Sequence, residues 1–258
     1  MKILITGHRG FIGQNMVNAL KDHHTLSFYE WGDSPPEIEG LDWVIHLGAI
    51  SSTTEQDVEK IMKQNHDFSC IMLMACQIHG VNLQYASSAS VYGLNTRNFN
   101  EDADLRPTSP YSWSKYLFDR HVKTQKFNNI YVQGFRYFNV YGPFEDHKKD
   151  QASPYYKFEQ QAKTTGIIKL FENSNQYYRD FVPVKTVIDV HKEFFNVKKS
   201  GIWNVGTGKA RSFQNVAEEI AKKYNAKIEY IPMPAELKNQ YQTYTQADVT
   251  ELKKYYNI

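Results

Sequence analysis

A phenol and an ammonium group lie close enough in the sequence to share one helix face. Tyr111 and Lys115 are four residues apart in a stretch that we predict to be helical, and side chains at this spacing are neighbours on a helix. A phenol has a pKa of about 10 and is a weak base near neutral pH, but a nearby ammonium stabilises the phenolate and lowers that pKa. The pair is therefore suited to moving a proton to or from a hydroxyl group.

Small hydroxylated residues precede this pair at the end of a predicted strand. The run 85–93 reads Tyr-Ala-Ser-Ser-Ala-Ser-Val-Tyr-Gly, and ligand sites of α/β proteins lie at the carboxyl ends of strands. We assign Ser88 as the hydroxyl that shares a hydrogen bond with the substrate. Ser88 lies outside any Gly-x-Ser-x-Gly motif, so a nucleophilic serine hydrolase is not favoured.

Three glycines follow the first predicted strand and open a helix. Gly7, Gly10 and Gly13 provide a sharp turn, a close approach to pyrophosphate and a tight helix–strand contact. The helix N-terminus supplies free N–H groups and a positive dipole end for phosphates. With the acidic Glu30 at the end of the second predicted strand, this pattern predicts a dinucleotide site. A hydride acceptor beside Tyr111 would allow a sugar alcohol to be oxidised.

Two residues of the predicted dinucleotide site favour different cofactors. Glu30 is suited to accepting hydrogen bonds from the adenosine ribose, which favours NAD. Arg9, inside the glycine loop, is suited to pairing with a 2′-phosphate, which favours NADP. These residues leave both cofactors open.

Metal-dependent and phosphoryl-transfer chemistry are not favoured. The nine histidines show no His-x-x-x-His or His-Glu-x-x-His spacing, and no Gly-x-x-x-x-Gly-Lys-Ser/Thr loop occurs. His46 is interpreted as a satisfied histidine at a strand end, and we predict no metal ligands.

The chemistry-bearing residues sit on alternating apolar runs and helical patterns, which are typical of a parallel sheet. The predicted strands are 2–6, 25–30, 42–47, 82–86, 130–136, 167–171, 202–205 and 227–231. The predicted helices are 11–21, 57–79 with a break, 110–127, 152–164, 185–197 and 212–224. We predict an α/β fold: a doubly wound parallel Rossmann sheet with a smaller interleaved C-terminal lobe. Residues 1–142 and 176–205 would form the dinucleotide domain, and 143–175 and 206–258 the substrate lobe.

The connection 31–41 is too short for an ordinary crossover helix between parallel strands. It also contains Pro35 and Pro36, which disfavour a helix. We predict a bare connection there.

Composition limits the class of protein. The 258 residues are 41% hydrophobic and carry 30 basic and 28 acidic side chains, a net charge of +2. No apolar run approaches the roughly 18 residues of a membrane span, and no basic patch indicates nucleic acid. The two cysteines, Cys70 and Cys76, do not form a disulfide framework. Without a signal-peptide pattern before the first strand, we expect a cytoplasmic protein; a homo-oligomer is left open.

The chain resembles the extended short-chain dehydrogenase/reductases in its glycine loop, in Ser88, Tyr111 and Lys115, and in the runs 136–143 and 179–182. Within that superfamily it is similar to the ADP-L-glycero-D-manno-heptose 6-epimerase family. The more specific runs are 51–55, 142–148, 169–172 and 241–248. This resemblance implies conversion of the D,D form of an ADP-heptose to the L,D form, which supplies heptose for surface polysaccharide such as lipopolysaccharide.

The resemblance also implies roles for individual residues. Tyr111 is one acid/base group, Lys115 holds the nicotinamide ribose, and Lys148 is the second acid/base group on the opposite side of the substrate carbon. From spacing alone, Lys148 and Lys149 are equally compatible with a solvated turn. The implied cofactor contacts are Gly7, Arg9, Gly10, Phe11, Ile12, Gly13, Glu30, Leu47, Gly48, Ala49, Ser51, Lys115 and Val140. The implied substrate contacts are Ser88, Asn139, Asp150, Lys157, Phe171, Glu172, Asn173, Ser174, Arg179 and Tyr241.

The chain departs from this family at several points. Asp150 and Lys157 stand where the family has serine and histidine, a βα unit is absent after the second strand, and the family's final helices are not seen. The resemblance and Arg9 together tilt the cofactor towards NADP, with NAD still open.

We predict an epimerase that inverts C6 of a nucleotide-heptose by transient oxidation with a bound nicotinamide. The alternatives are a 4-epimerase, reductase or dehydratase acting on another nucleotide-sugar, and a non-catalytic dinucleotide sensor. The stretch 89–92 lacks the Asp-Glu pair typical of dehydratases, and a sensor has no need of Ser88, Tyr111 and Lys115.

Overall fold

The structure is a computed structural model, and it describes residues 1–52, 55–94, 97–234 and 242–258. Its strands are β1 Lys2–Thr6, β2 Thr25–Tyr29, β3 Trp43–His46, β4 Asn82–Ser88, β5 Val132–Tyr137, β6 Asn139–Tyr141, β7 Ile167–Phe171, β8 Tyr178–Pro183, β9 Gly201–Val205, β10 Ala210–Ser212 and β11 Lys227–Ile231. Its α-helices are α1 Phe11–Leu20, α2 Val58–Ile61, α3 Phe68–His79, α4 Pro110–Lys123, α5 Pro154–Thr165, α6 Val184–Phe194 and α7 Phe213–Tyr224.

Six strands form one parallel sheet in the order β2-β1-β3-β4-β5-β9. Side chains alternate across this sheet because successive residues of a strand point to opposite faces. Ile3 and Ile5 pack with α1 and α6 on one face. Leu4, between them, packs with α3 and α4 on the other. The predicted doubly wound α/β fold is confirmed.

The helix that holds the Tyr-Lys pair has a strong start signal in its sequence. The Ser109 hydroxyl accepts a hydrogen bond from the backbone N–H of Ser112, and the Ser112 side chain bonds back to the Ser109 N–H. Pro110 occupies the first turn, where its missing N–H costs nothing. This capping box fixes the first turn of α4, which places Tyr111 at the helix N-terminus.

Two local predictions have different outcomes. The connection between β2 and β3 contains no helix, as predicted, and β2 lies at the edge of the sheet. The predicted break within 57–79 corresponds to a change of helix type between two α-helices, and the chain stays helical across it. The π-helical turns Met62–Asp67 join α2 directly to α3. A π-turn absorbs one extra residue without ending the helix.

Two small sheets lie outside the parallel sheet. One has the order β10-β8-β6, and the other pairs β7 with β11 in parallel. Helices α5 and α7 cover the second with a separate apolar cluster. The division of the chain into two lobes at the stated residues stays a prediction.

No helix in the described parts of the chain combines the length and apolar character that crossing a bilayer requires.

A buried histidine beneath the sheet predicts a pH dependence of stability. His191 is fully buried, its Nδ1 donates to Gln84 Oε1 at 2.7 Å, and its Nε2 accepts from the Tyr137 hydroxyl at 2.5 Å. Burial lowers the pKa of His191 to about 3. Below pH 6.5, the ordinary pKa of histidine, His191 is protonated in the unfolded chain but stays neutral in the folded chain. The free energy of unfolding therefore falls as the pH drops from about 6.5 towards 3.

We expect His191→Gln to reduce the loss of unfolding free energy between pH 6 and 4 by up to about 1.4 kcal/mol per pH unit relative to the native chain. Urea titrations of both proteins across this range measure the difference. Equal slopes would show that His191 does not stay neutral in the folded state.

Candidate active site

The main cleft lies where the carboxyl ends of β1, β3 and β4 meet the N-terminus of α1. Its volume is about 300 Å³. The site residues predicted from the sequence that line this cleft are Gly7, Gly10, Phe11, Ile12, Gly13, Glu30, Leu47, Gly48, Ala49, Ser51, Tyr111, Lys115 and Lys148. The structure thus brings most of the predicted cofactor residues together with three of the four predicted catalytic ones.

The three loop glycines have distinct steric roles. Gly7 has φ +70°, and a Cβ there would lie 2.6 Å from the backbone of Gly48. A Cβ on Gly13 would lie 2.1 Å from the carbonyl oxygen of Gly7. A Cβ on Gly10 would meet only that oxygen, at 3.3 Å, although Gly10 lines the cleft. Gly7 and Gly13 allow close contacts between backbone segments of the protein, whereas Gly10 leaves space for a ligand.

This loop fits a dinucleotide pyrophosphate. Helix α1 begins at Phe11, and the N–H groups of its first turn have no carbonyl ahead of them in the helix. Phe11, Ile12 and Gly13 of that turn all line the cleft. Unpaired N–H groups and the positive dipole end of a helix together suit a phosphate.

A smaller aromatic pocket of about 130 Å³ adjoins the glycine loop and shares Gly7, Glu30, Gly48 and Ala49 with the main cleft. Phe68 forms its wall, stacked on Tyr29 with ring centres 5.0 Å apart and edge-on to Trp31 at 5.6 Å. Flat apolar walls next to the carboxylate of Glu30 suit an adenosine.

Glu30 is held in place by the glycine loop itself. Its Oε1 accepts a hydrogen bond from the backbone N–H of Arg9 at 2.8 Å and lies 3.1 Å from Nδ1 of His8. The side chain of Arg9 is exposed and does not line either pocket.

Tyr111 and Lys115 project from α4 into the main cleft as predicted, but their electrostatics differ from the prediction. Burial raises the pKa of Tyr111, and its hydrogen bond with Ser88 opposes this rise. The ammonium of Lys115 donates to the carbonyl of Ala86 at 2.8 Å. The expected lowering of the phenol pKa by Lys115 is therefore wrong for this structure. Burial also lowers the pKa of Lys115 to about 8.

Lys148 reaches the same cleft from a different part of the chain. Its Nζ lies 4.9 Å from the centre of the Phe11 ring and 3.7 Å from Oε2 of Glu145. Burial lowers the pKa of Lys148, while Glu145 opposes this shift. The solvated-turn alternative is not what the structure shows, because the Lys148 side chain is only 22% exposed.

A directed chain of hydrogen bonds joins the glycine-loop strand to α3. The Gly48 N–H donates to Thr6 Oγ1 at 3.0 Å, and Thr6 Oγ1 lies 2.6 Å from Nδ1 of His46. Nε2 of His46 lies 2.9 Å from the Ser69 hydroxyl, which donates to the carbonyl of Asn65. Because the Ser69 hydroxyl donates its hydrogen to Asn65, His46 must donate from Nε2 to Ser69 and accept at Nδ1 from Thr6. Burial lowers the pKa of His46 to about 3, so it remains neutral.

Asn65 extends this chain to the cofactor loop and to α4. Its side-chain oxygen accepts from the Ile50 N–H at 2.8 Å. Its side-chain nitrogen donates to the Ile50 carbonyl at 2.9 Å and to the Ser114 hydroxyl at 3.1 Å. The Ser114 hydroxyl in turn donates to the carbonyl of Tyr111 at 2.7 Å. One buried amide thus connects the loop 48–51 with the turn that holds the phenol.

A second cleft of about 330 Å³ lies between α5, β7 and the start of α7. Of the predicted substrate residues, Lys157, Phe171 and Ser174 line it. The other lining residues are mostly apolar: Pro154, Phe158, Gln161, Lys169, Leu170, Tyr177, Phe213, Ile231 and Met233. An apolar slot with a few polar groups suits a nucleoside.

Several predicted residues do not line either cleft. Val140 packs among the apolar side chains beneath the glycine loop. Asp150 is exposed and contributes its backbone carbonyl to the ammonium of Lys157, at 2.7 Å. Arg179 is buried over the ring of Phe213, and its Nη1 donates to the carbonyl of Tyr178. The remaining residues are Ser88, which ends β4, Asn139, which begins β6, Glu172, which is exposed beside β7, and Asn173, which has φ +60°. Tyr241 lies outside the described residues.

Several residues were missed by the sequence prediction. Trp31, Gln64 and Phe68 line the aromatic pocket, and Ala86, Ser87, Tyr137 and His147 line the main cleft. Gln64 and Phe68 lie four residues apart on one helical run, but no spacing connects them to Trp31. His147 is adjacent to Lys148 in the run 142–148, and this position is the sequence signal that could have identified it.

The fold and this set of Ser, Tyr and Lys beside a glycine-loop cleft define a nicotinamide-dependent enzyme of the extended short-chain dehydrogenase/reductase class. Residues 30–206 match the NAD dependent epimerase/dehydratase family. This match covers more than half of the chain, and the chain belongs to that family.

Solved structures agree with this assignment. ADP-L-glycero-D-manno-heptose-6-epimerase from Helicobacter pylori is similar over 100% of this chain and 91% of its own, with a TM-score of 0.89 and 26% identity. UDP-N-acetylglucosamine 4-epimerase from Methanobrevibacter ruminantium has a TM-score of 0.89 at 22% identity, over 100% and 92% of the chains. The hexosamine 5,6-dehydratase TunA has a TM-score of 0.81 at 23% identity, over 99% and 91%. The last two show the fold alone. The resemblance to the heptose epimerases is confirmed.

The glycines allow a paired test of where the cofactor lies. We expect Gly10→Ala to lower the melting temperature far less than Gly13→Ala but to weaken NAD(H) binding about tenfold, because its methyl group meets only the Gly7 carbonyl oxygen, at 3.3 Å, and otherwise enters the ligand space. Gly13→Ala should instead cost about 1–3 kcal/mol of folding stability through its clash with the Gly7 carbonyl. Thermal denaturation and calorimetric titration of both variants separate these effects. Normal NAD(H) affinity in Gly10→Ala would place the pyrophosphate elsewhere.

Proposed function

We propose that the protein is an epimerase that inverts C6 of an ADP-glycero-manno-heptose or a closely related nucleotide-heptose. The observation that supports this most directly is that Tyr111 and Lys148, from separate elements, line one cleft with Lys115. A nicotinamide bound in this cleft would accept a hydride from the sugar carbon and return it to the opposite face. The two faces require the substrate oxygen to occupy two positions, and each position needs its own proton carrier.

The residues of the chain divide this work. Tyr111 exchanges the proton of the substrate oxygen in one position, and its hydrogen bond with Ser88 lowers the phenol pKa against the effect of burial. Lys148 supplies or accepts the proton in the other position, and its lowered pKa suits acid/base exchange. Lys115 anchors the cofactor ribose. The apolar second cleft would hold the nucleoside of the substrate, with Ser174 and Lys157 as its polar contacts.

We expect Tyr111→Phe and Lys148→Ala each to reduce C6 inversion about 10²–10⁴-fold while changing nucleotide-sugar affinity less than about threefold. Lys149→Ala is the matched control, because its side chain is exposed beside Lys148 and is assigned no chemistry. Proton NMR of ADP-heptose incubated with each variant measures inversion. Inversion that persists in both variants would contradict the proposal, and a 4-epimer or dehydrated product would favour the alternative reactions.

We propose further that NAD is the preferred cofactor, although the resemblance to the heptose epimerases favours NADP. The Glu30 carboxylate lines both the main cleft and the aromatic pocket and is fixed by the Arg9 backbone. A 2′-phosphate at this position would face that carboxylate, whereas ribose hydroxyls would donate to it.

Calorimetric titration should show NAD binding about tenfold more tightly than NADP. Glu30→Gln should bring the two affinities within about threefold of each other, because it removes the charge and keeps the shape. Arg9→Ala, the control, should leave the ratio unchanged. A selective loss of NADP affinity in Arg9→Ala would instead assign the 2′-phosphate to that side chain.

We also propose that the chain forms a homodimer through α3 and α4. Ile71, Met74 and Ile78 are 55–70% exposed and share one face of α3. Trp113 and Leu117 are exposed on α4, and the side chain of Gln77, on α3, donates to Gln125, just beyond the end of α4. An apolar surface of this kind on two adjacent helices is suited to a second copy of itself.

We expect light scattering to give a mass of about twice 30.1 kDa for the native chain and a monomer for the Ile71→Glu, Met74→Glu double variant, because buried charges oppose association. Lys63→Glu on the same helical run is the control. A native monomer would exclude this proposal.

A further inference from the structure

The segment that carries Lys148 has an unusual backbone. Of the four non-glycine residues with positive φ in the described chain, two flank Lys148: Phe144 at +70° and Lys149 at +46°. Such conformations cost free energy and persist only when surrounding contacts hold them. The contacts that hold this segment therefore also determine where the Lys148 side chain lies.

A single carboxylate closes this segment. Glu145 is fully buried. Its Oε1 accepts from the Gly142 N–H at 3.1 Å and from the Ser153 hydroxyl at 2.7 Å. Its Oε2 accepts from the Ser153 N–H at 2.6 Å. The carboxylate thus binds both ends of the segment, and a buried charge needs this number of partners to be tolerated.

The same residue contacts Lys148 in two ways. The backbone N–H of Lys148 donates to the Glu145 carbonyl at 2.9 Å. The Lys148 ammonium lies 3.7 Å from Glu145 Oε2 and 4.9 Å from the centre of the Phe11 ring. Glu145 therefore touches the closed segment, the backbone and the charge of Lys148 together.

We propose that Glu145 is the positioning residue of the second proton carrier: it holds the segment 142–153 closed and keeps the Lys148 ammonium over Phe11 at the edge of the cleft. This inference rests on the proposed function. Glu145 does not line the cleft, so it acts through Lys148 and not on the substrate.

The charges around Lys148 determine in which direction its pKa should move when Glu145 is changed. Burial lowers the pKa of Lys148, Glu145 raises it, and Lys157 lowers it further. The other titratable groups that line the main cleft are Glu30, Tyr111, Lys115, Tyr137 and His147. Removing the charge of Glu145 while leaving these groups in place should move the titration of Lys148 to lower pH.

The experiment uses Glu145→Gln, Lys148→Met and the double variant, with Asp146→Asn as a control that removes a neighbouring exposed charge. Asp146 accepts a hydrogen bond from the Tyr156 hydroxyl and is assigned no chemistry. We expect Glu145→Gln to lower kcat for inversion about 10–100-fold, with cofactor affinity unchanged. In the Lys148→Met background, the same substitution should change the residual rate less than about twofold, because its effect passes through Lys148.

A second readout does not depend on activity. The rate at which an amine-reactive reagent labels Lys148, followed by mass spectrometry across pH, reports its titration. Glu145→Gln should move the midpoint to lower pH, Asp146→Asn should leave it in place, and Glu145→Asp, which keeps the charge, should preserve both the midpoint and part of the activity. If Glu145→Gln does not fold, Glu145→Asp with the labelling experiment still decides the question.

The outcomes separate the two proposals. Equal losses from Glu145→Gln in both backgrounds, or an unmoved labelling midpoint, would show that Glu145 is only structural. Full inversion by Lys148→Met would refute the two-carrier reaction, while a shifted labelling midpoint would still establish that Glu145 positions and tunes Lys148.

Discussion

The neutral imidazole of His46 is the constraint on which the arrangement of this site depends. Its two ring nitrogens have opposite roles, accepting from Thr6 and donating to Ser69, so the chain of hydrogen bonds runs in a single direction from Gly48 to Asn65. A protonated ring would present two donors, and Thr6 would then have to accept two N–H groups and redirect its own proton. The position of the loop after β3 relative to α3 is therefore tied to one tautomer of one side chain.

This neutrality matters because of what lies next to it. Lys115 is buried in the same region, and its positive charge also lowers the pKa of His46. Two adjacent buried cations would repel each other strongly at low effective dielectric. By remaining neutral, His46 leaves Lys115 as the positive group at the end of β4, where its ammonium is fixed by the carbonyl of Ala86. The same polar chain ends at Asn65 and Ser114, which fix the backbone carbonyl of Tyr111.

The sequence predicted the parts of this site that depend on local rules. Alternation of apolar residues gave the parallel sheet, the Ser109–Pro110 start gave α4, and the glycine spacing gave the phosphate loop. It did not predict the π-helical turns Met62–Asp67, because one inserted residue leaves the apolar pattern of a helix almost unchanged. Asn65 lies in those turns, so its connection of Ile50 to Ser114 is formed by tertiary packing between segments far apart in sequence. The electrostatics of Tyr111 were mispredicted for a related reason: spacing indicates which groups are neighbours, but burial and the Ala86 carbonyl determine how their charges are compensated.

The short connection between β2 and β3 has a consequence for the adenosine end of the site. With no helix over this part of the chain, β2 remains an edge strand, and an unprotected edge exposes backbone groups and neighbouring apolar surface. The aromatic wall of Tyr29, Trp31 and Phe68 occupies the adjoining surface, although Trp31 is still 47% exposed. A planar base bound against this wall would shield Trp31 from water, while Glu30, the next residue along the chain from Tyr29, would meet the attached ribose. Without a crossover helix, the proposed adenosine pocket consists of an aromatic wall and one carboxylate, so Glu30 is the charged group that a 2′-phosphate would meet there.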